Sequence, residues 1–259
     1  TNDHEHLVSI VVPVYRGEAT IEELVDELLP FTTTSTTPDG RRMRIVEILL
    51  VNDNGPDRSG DIIRRLAERS EIVHPIWLAR NSGQHAATAA GIASSGAEWV
   101  VTMDEDGQHA AGDIGRLIDC AVRERVNLVY GRQVGGAPHR WWRNASSSAA
   151  KRIARSLVGS DSSAFTSFRL IEGTRARAVT AYIGSRTFLD SALSWAIDRS
   201  VVCEVTRRGE WRAGSGYNLR RLLSHFWTLV LSSGTRPLRL VSGLGTLTAL
   251  SGFVFAGII

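Results

Sequence analysis

In the first half of the chain, four short apolar runs alternate with segments of helical spacing. The first run is almost entirely apolar and rich in β-branched residues, which is typical of a strand covered on both faces. Strands that alternate with helices predict βαβ units and therefore a doubly wound, mainly parallel sheet. The runs are Leu7 to Val14, Arg44 to Val51, Ile72 to Leu78 and Val100 to Met103.

Start signals of helices lie between these runs. Thr20 with Glu23 matches a capping box, and Ser59 is expected to cap a helix that ends at Arg69. An Ala-rich helix follows the third run and ends near Ala93. Residues 32–40 are mostly Thr, Ser, Pro and Gly, which predicts a loop.

Polar side chains follow each predicted strand. In open α/β sheets, ligands bind beyond the carboxyl ends of the strands, so these clusters should meet in one crevice. The clusters are Pro13 to Tyr15, Asn52 with Asp53, Arg80 with Asn81, and Asp104 to Asp106.

The last cluster offers oxygen atoms at alternate positions. Asp104, Asp106 and Gln108 would point to one side of an extended segment, and Mg²⁺ prefers oxygen ligands. A turn cap is the plainer interpretation of two carboxylates at a strand end. A phosphatase motif of the haloacid-dehalogenase type fits less well, because that motif belongs on the first strand and this one follows the fourth.

Charge is divided unevenly along the chain. Residues 1–139 hold 21 Asp and Glu against 13 Arg, whereas residues 140–259 hold 17 Arg and Lys against 6 acids. The second half should therefore face an anionic partner, namely a nucleic acid, a membrane surface or a phosphorylated substrate. Two distant cysteines, Cys120 and Cys203, favour a reducing compartment.

The C-terminal residues have the composition of a membrane span. No charged side chain occurs from Leu240 to Ile259, and a helix of about 20 apolar residues crosses a bilayer. We therefore expect a transmembrane helix over residues 237–259, preceded by an amphipathic interface helix with an apolar stripe over residues 219–230. Core helices are the alternative. Seven arginines from Arg207 to Arg239, against the single acid Glu210, place the flank on the cytoplasmic side of a cell membrane.

Four segments, taken in order, resemble the nucleotide-sugar half of glycosyltransferase family 2. Within that family the chain is similar to the polyprenyl-phosphate glycosyltransferases, which include dolichol-phosphate mannose synthases and undecaprenyl-phosphate sugar transferases. The resemblance implies a GT-A fold over residues 1–206, an α/β architecture that is Rossmann-like with a mainly parallel sheet and flanking helices. The segments are Pro13 to Glu18, Val51 to Asp57, Arg80 to Gly83 and Met103 to His109.

The resemblance also implies an activity and roles for individual residues. The activity would be inverting transfer of a sugar from a UDP- or GDP-linked donor, with Mg²⁺ or Mn²⁺ neutralising charge on the leaving diphosphate. Asp53 would hydrogen-bond the base of the donor. The metal ligands would be Asp104, Asp106 and Gln108, with Glu105 pointing away from the metal. The donor-binding residues would be Pro13, Tyr15, Asp53, Arg80, Gly83, Asp104, Glu105 and Asp106.

In the basic half, the resemblance implies an acceptor site for a polyprenyl phosphate. Arg132, and Arg143 with Ser147 four residues later, match positions that hold the lipid phosphate, which arginine can meet bidentately. Arg212, with Arg208 second, matches a loop over the donor diphosphate within residues 207–236. A solvated basic face is the alternative.

The resemblance draws attention to two further acids. Asp190 is the best acid in the region where related transferases place a base, and Asp161 is the acid nearest to an aspartate that usually lies a few residues upstream of the segment matched by Ser167 to Leu170. A structural role for Asp190 is preferred, because an ionised phosphate needs no deprotonation before it attacks.

The chain departs from the family pattern at several positions. Asn52 stands where aspartate is usual, Gly17 where glutamate is common, and Gly107 where an apolar residue usually follows the acidic triplet. Alanines replace the prolines expected after His109. We interpret these changes as altered donor choice.

Two alternative functions stay open at this point. The acceptor could be a glycan hydroxyl, or the chain could be a catalytically impaired, nucleotide-binding membrane scaffold. We expect a membrane and no nucleic acid as partners, and a homo-oligomer is compatible with the sequence.

Overall fold

The computed structural model describes residues 4–134, 165–183 and 187–206, with residues 242, 245, 246 and 248 near the C-terminus. The elements named below all belong to one compact unit, made of residues 1–137 and 164–215. Within the described ranges, no helix is both long and apolar enough to cross a membrane. Predictions that fall outside these ranges concern residues 207–236, nearly all of 237–259, and Arg143, Ser147, Asp161, Arg208 and Arg212.

The described strands form one sheet, and helices connect most of them in sequence. The strands are β1 (Glu5–Val14), β2 (Ser35–Thr36), β3 (Arg42–Asn52), β4 (Val73–Trp77), β5 (Trp99–Thr102), β6 (Leu128–Val134), β7 (Arg169–Glu172) and β8 (Val201–Thr206). The helices are α1 (Ile21–Leu28), α2 (Ser59–Arg69), α3 (Gln84–Ser94), α4 (Ile114–Glu124), α5 (Gly173–Thr180) and α6 (Leu189–Ala196), with 3₁₀ turns at Leu29–Thr32 and Ala111–Asp113.

The sheet is mixed, with the order β2-β3-β1-β5-β7-β6-β8 and with β4 paired to β3. β1 pairs in parallel with β3 and β5, and β4 is parallel to β3, as the sequence predicts. β7 lies antiparallel between β5 and β6, so β6 runs in the same direction as β5. The carboxyl ends of β1, β3, β4, β5 and β6 therefore meet at one edge.

Both faces of the central strand are covered. Alternate residues of β1 point to opposite sides, so Val12 packs in the core layer that holds α1, α2 and α4, while Val11 packs in the layer with α3, α5 and α6. Val11 and Val12 are fully buried. The loops at the carboxyl edge consequently rise from a rigid base.

Two helix starts and one loop differ from the predictions. Thr20 occupies the N-cap position of α1, but its buried side chain makes no capping hydrogen bond. α2 begins at Ser59 itself, whose hydroxyl donates to Asp57 and accepts from the Gly17 amide, so it ties two loops together instead of capping. The predicted loop over residues 32–40 contains the short strand β2.

Candidate active site

Asp104 follows β5 and is held from two sides. The Gln84 side chain donates to one carboxylate oxygen at 2.5 Å, and the Ser167 hydroxyl donates to the other at 2.5 Å. Gln84 begins α3 and Ser167 precedes β7, so the carboxylate links three loops. Burial raises the pKa of the Asp104 carboxyl; the Ser167 hydrogen bond opposes this shift, and the nearby Asp106 charge adds to it.

Asp106 and Gln108 continue the motif into a tight turn. The Asp106 carboxylate accepts the backbone N–H of Gln108 at 3.1 Å, and Gly107 between them has a φ of +70°, which favours glycine. The Gln108 side chain is exposed. The backbone carbonyl of Gln108 accepts a hydrogen bond from the side-chain amide of Gln133 on β6 at 3.0 Å. Two carboxylates whose charges repel each other suit a hard divalent cation. The role of the Gln108 side chain as a third ligand stays a prediction.

Glu105 braces the first loop. Its carboxylate accepts the backbone N–H groups of Tyr15 at 2.9 Å and Arg16 at 3.0 Å. A Cβ on Gly17 would lie 2.9 Å from the nearer Glu105 oxygen, so a residue with a side chain would crowd this contact. The sequence predicts that Glu105 points away from the metal ligands, but it carries no signal that Glu105 joins the end of β5 to the loop after β1.

Asp53 braces the third loop of this edge, the loop between β4 and α3, in a similar way. Its carboxylate accepts the backbone N–H of Ser82 at 2.7 Å and of Gly83 at 2.9 Å, and the residue is only 3% exposed. Gly83 has a φ of +87°, a backbone conformation that glycine adopts without strain. Asp53 thus holds the loop in which Arg80 lies, and its contact with a donor base stays a prediction.

The other predicted donor and acceptor residues lie at the same edge. Pro13 is half-buried opposite Val51, and Tyr15 is 36% exposed with the Arg16 guanidinium 5.5 Å from its ring centroid. Arg80 follows β4 and is exposed. Arg132 is exposed near the carboxyl end of β6, next to the residue that binds the Gln108 carbonyl. The structure therefore brings these side chains to the edge where the acidic motif ends.

Asp190 is engaged in a buried ion pair. Arg169 donates to its carboxylate at 2.6 Å and the Tyr130 hydroxyl donates at 3.2 Å. The side chains of Arg169 and Asp190 are each 4% exposed. Burial, together with the Asp190 charge, raises the pKa of Tyr130 far above its usual range. This geometry favours the structural role of Asp190 over that of a base.

His109 directly follows the acidic motif and is buried. The ring stacks on Phe168 with centroids 4.7 Å apart, and its buried Nδ1 has no hydrogen-bond partner within the described residues. Burial lowers the pKa of the imidazole, although the carboxylates of Asp104, Asp106 and Asp113 act against this shift. The imidazole ring therefore packs against Phe168 beside the acidic motif.

Comparison of the sequence with known proteins gives consistent matches. The family model described as glycosyl transferase family 2 matches residues 9–184. A protein of Pseudomonas aeruginosa (strain LESB58), named undecaprenyl-phosphate 4-deoxy-4-formamido-L-arabinose transferase, is 32% identical over 259 residues, covering 96% of this chain and 72% of that protein. A protein of the same name from Serratia proteamaculans (strain 568) is 28% identical, covering 96% of this chain and 74% of its own length.

Solved structures share the fold. Glucosyl-3-phosphoglycerate synthase from Mycobacterium tuberculosis, in complex with Mn²⁺, UDP and phosphoglyceric acid, has a TM-score of 0.58 at 16% identity, covering 88% of this chain and 79% of that one. S. aureus TarS 1-349 in complex with UDP has a TM-score of 0.53 at 13% identity, covering 87% and 64%. At these identities the likeness concerns the backbone fold.

Proposed function

The chain belongs to glycosyltransferase family 2, and we propose that it moves a sugar from a nucleotide-sugar donor to a polyprenyl phosphate at a membrane. Its fold is the GT-A type, a Rossmann-like mixed sheet with flanking helices. One observation supports the proposal: Asp104, Asp106 and Arg132 lie at or near the carboxyl ends of β5 and β6, so acids suited to a metal ion and an arginine suited to phosphate share one edge of the sheet. The names of the relatives support a polyprenyl-phosphate acceptor.

On the donor side, we assign the diphosphate to the acidic motif. Asp104, Asp106 and Gln108 would hold a divalent cation, Mg²⁺ or Mn²⁺, and the Mn²⁺–UDP complex of the structural relative supports such an ion. The repulsion between the two carboxylates fits this role, since a cation between them would relieve it. When bound, the ion would neutralise charge on the leaving nucleoside diphosphate.

The chain's own residues would form the rest of the donor pocket. Tyr15 offers an exposed ring to a nucleotide base, and Glu105 holds the backbone of that loop against β5. Asp53 and Gly83 keep the third loop in place, with Arg80 exposed toward the solvent. The donor could be UDP- or GDP-linked, and Asn52 remains able to hydrogen-bond a base.

On the acceptor side, we assign the lipid phosphate to arginine. Arg132 would meet the phosphate oxygens, together with Arg143 and Ser147, while Arg212 would cover the donor diphosphate. The phosphate oxygen attacks C1 of the sugar from the side opposite the leaving group, forming a C1–O bond. The bond from C1 to the donor diphosphate breaks, and its electron pair leaves with the diphosphate, so the anomeric configuration inverts.

The proposal includes the arrangement of the whole chain. Residues 1–206 would form the catalytic domain on the cytoplasmic side of a cell membrane, and residues 207–236 would supply the donor loop and an interface helix. Residues 237–259 would form a transmembrane helix. A homo-oligomer is compatible with this arrangement.

The test is transfer by the purified full chain. Undecaprenyl phosphate would be incubated with a panel of UDP-, GDP- and dTDP-sugars in Mg²⁺ or Mn²⁺, and products measured by mass spectrometry. We expect one donor to give equal amounts of undecaprenyl-phosphate-linked sugar and nucleoside diphosphate. Asp106→Asn should abolish the reaction, whereas Asp61→Asn, at an exposed position on α2, should not. Absence of product with every donor, or full activity of Asp106→Asn, would contradict the proposal.

A further inference from the structure

Metal-binding side chains also gather at the opposite edge of the sheet. His6 is the second residue of β1, His4 directly precedes that strand, and Glu98 directly precedes β5. β1 and β5 are parallel neighbours, with Val8 opposite Trp99, so all three residues stand at the amino ends of the strands. This cluster is therefore separate from the transferase site at the carboxyl ends.

The three side chains are already close enough to share one ion. His4 Nε2 lies 2.9 Å from one Glu98 oxygen, and His6 Nδ1 lies 3.4 Å from the other. The ligating atoms all lie within 4.8 Å of one another, the only such group of three or more His, Cys, Asp or Glu in the part of the chain that the structure describes. The spacing of two residues in an extended segment puts both imidazoles on one face, while Glu5 between them bonds Thr34 and Arg44.

The hydrogen bonds of His6 leave one contact unsatisfied. Trp99 donates its indole N–H toward His6 Nδ1 at 3.3 Å, and a Glu98 oxygen approaches the same nitrogen at 3.4 Å. One ring nitrogen cannot accept from Trp99 and donate to Glu98 at once, and both contacts are longer than usual. The nitrogen is thus only weakly committed. A cation bound to Nδ1 would replace the long Trp99 contact and would bridge the ring to the Glu98 carboxylate.

The burial of the cluster is also suited to binding. The His6 side chain is 7% exposed, which fixes its ring, whereas the His4 side chain is 52% exposed and leaves a path from the solvent. Two imidazoles and a carboxylate match the ligand preference of Zn²⁺ and its neighbours, whereas Mg²⁺ prefers oxygen alone. The chemistry therefore differs from that of the Asp104 and Asp106 pair.

We propose that His4, His6 and Glu98 form a binding site for a divalent transition-metal ion, with Zn²⁺ as the first candidate. Three protein ligands leave one tetrahedral position to a water molecule or another ligand. The bound ion would replace the proton between His4 and Glu98 and tie the start of β1 to the start of β5. Its role would be structural: it would stabilise the edge of the sheet that lies opposite the transferase site.

Titration calorimetry with Zn²⁺ on the full chain, in excess Mg²⁺, tests the site. We expect one tight site in the wild type, weakened at least tenfold in His4→Ala and unchanged in His74→Ala, which replaces another exposed strand histidine. Because His4 is half exposed, its variant should fold. Equal affinity of His4→Ala and the wild type, no Zn²⁺ binding at all, or loss of the site in Asp106→Ala alone would overturn the proposal.

Fluorescence gives an independent readout of position. The Trp99 ring lies 6.5 Å from the His6 ring, so Cu²⁺ in this site should quench Trp99 emission. The quenched fraction should fall in Trp99→Phe and in His4→Ala. A Cu²⁺ quench that neither variant reduces would place the ion elsewhere and contradict the assignment.

Discussion

Replacing Glu105 by alanine should weaken donor binding while leaving the three predicted metal ligands in place. The carboxylate accepts two backbone N–H groups, from Tyr15 and Arg16, at 2.9 and 3.0 Å. Hydrogen bonds to a charged acceptor contribute about 1.5–3 kcal/mol each, and the partial exposure of this carboxylate lowers that contribution. A loss of about 2 kcal/mol for the pair corresponds to a KM for the nucleotide sugar about 30-fold higher.

Steady-state kinetics with the donor found in the panel would measure this effect, and calorimetry with the free nucleotide would check binding directly. Glu105→Gln keeps one acceptor oxygen and should lie between the wild type and Glu105→Ala. Glu68→Ala, an exposed acid on α2, is the matched control. A fall in kcat with an unchanged KM, or a nucleotide affinity equal to that of the control, would refute the bracing role.

Three further substitutions have distinct expected results. Gly17→Ala places a Cβ 2.9 Å from the same carboxylate and should raise the KM for the donor, but by less than Glu105→Ala does. In steady-state kinetics, the effects of the two substitutions should not add in the double variant, because the two residues are in contact. Ser167→Ala removes the hydroxyl that orients Asp104 and should raise the Mn²⁺ concentration for half-maximal activity about tenfold, measured by metal titration. Arg169→Met leaves the buried Asp190 charge unpaired and should cost about 3–5 kcal/mol of unfolding free energy, measured by denaturant titration, with partial recovery when Asp190→Leu is added.

The parallel core of the sheet could be predicted because its signal is local. An apolar, β-branched run such as Leu7 to Val14 reports its own burial, and strand–helix alternation then leaves few topologies. The observed β1, Glu5–Val14, begins two residues earlier than predicted. Its first two residues are held by pairing with β3 alone and are polar, so the apolar run does not reveal them. The antiparallel insertion of β7 was not predicted, since it depends on pairing with β5 across about 70 residues of sequence.

The place of the acidic motif in the sheet could be predicted from the sequence, but the hydrogen-bond partners of its acids could not. Asp104 and Asp106 follow a buried apolar run, and since β5 is parallel to β1, they lie at the carboxyl edge. The partners of Asp104, Gln84 and Ser167, come from two other elements and carry no local signal. The spacing of Glu105 relative to Asp104 suggested only that it turns away, and its hydrogen bonds to the first loop required the packing of β1 against β5.

The acids at this edge therefore divide into two kinds that a sequence motif does not separate. Asp53 and Glu105 each accept two backbone N–H groups, and an amide side chain can replace only half of that arrangement. Asp106 accepts one N–H within its own turn, its one hydrogen bond to the described part of the chain, and we propose that its carboxylate also binds the metal ion. Loss of a bracing acid should disorder a loop and raise KM, because binding must then restore the loop's conformation. Loss of a ligand acid should lower kcat, because it removes an interaction that strengthens as charge develops on the leaving group.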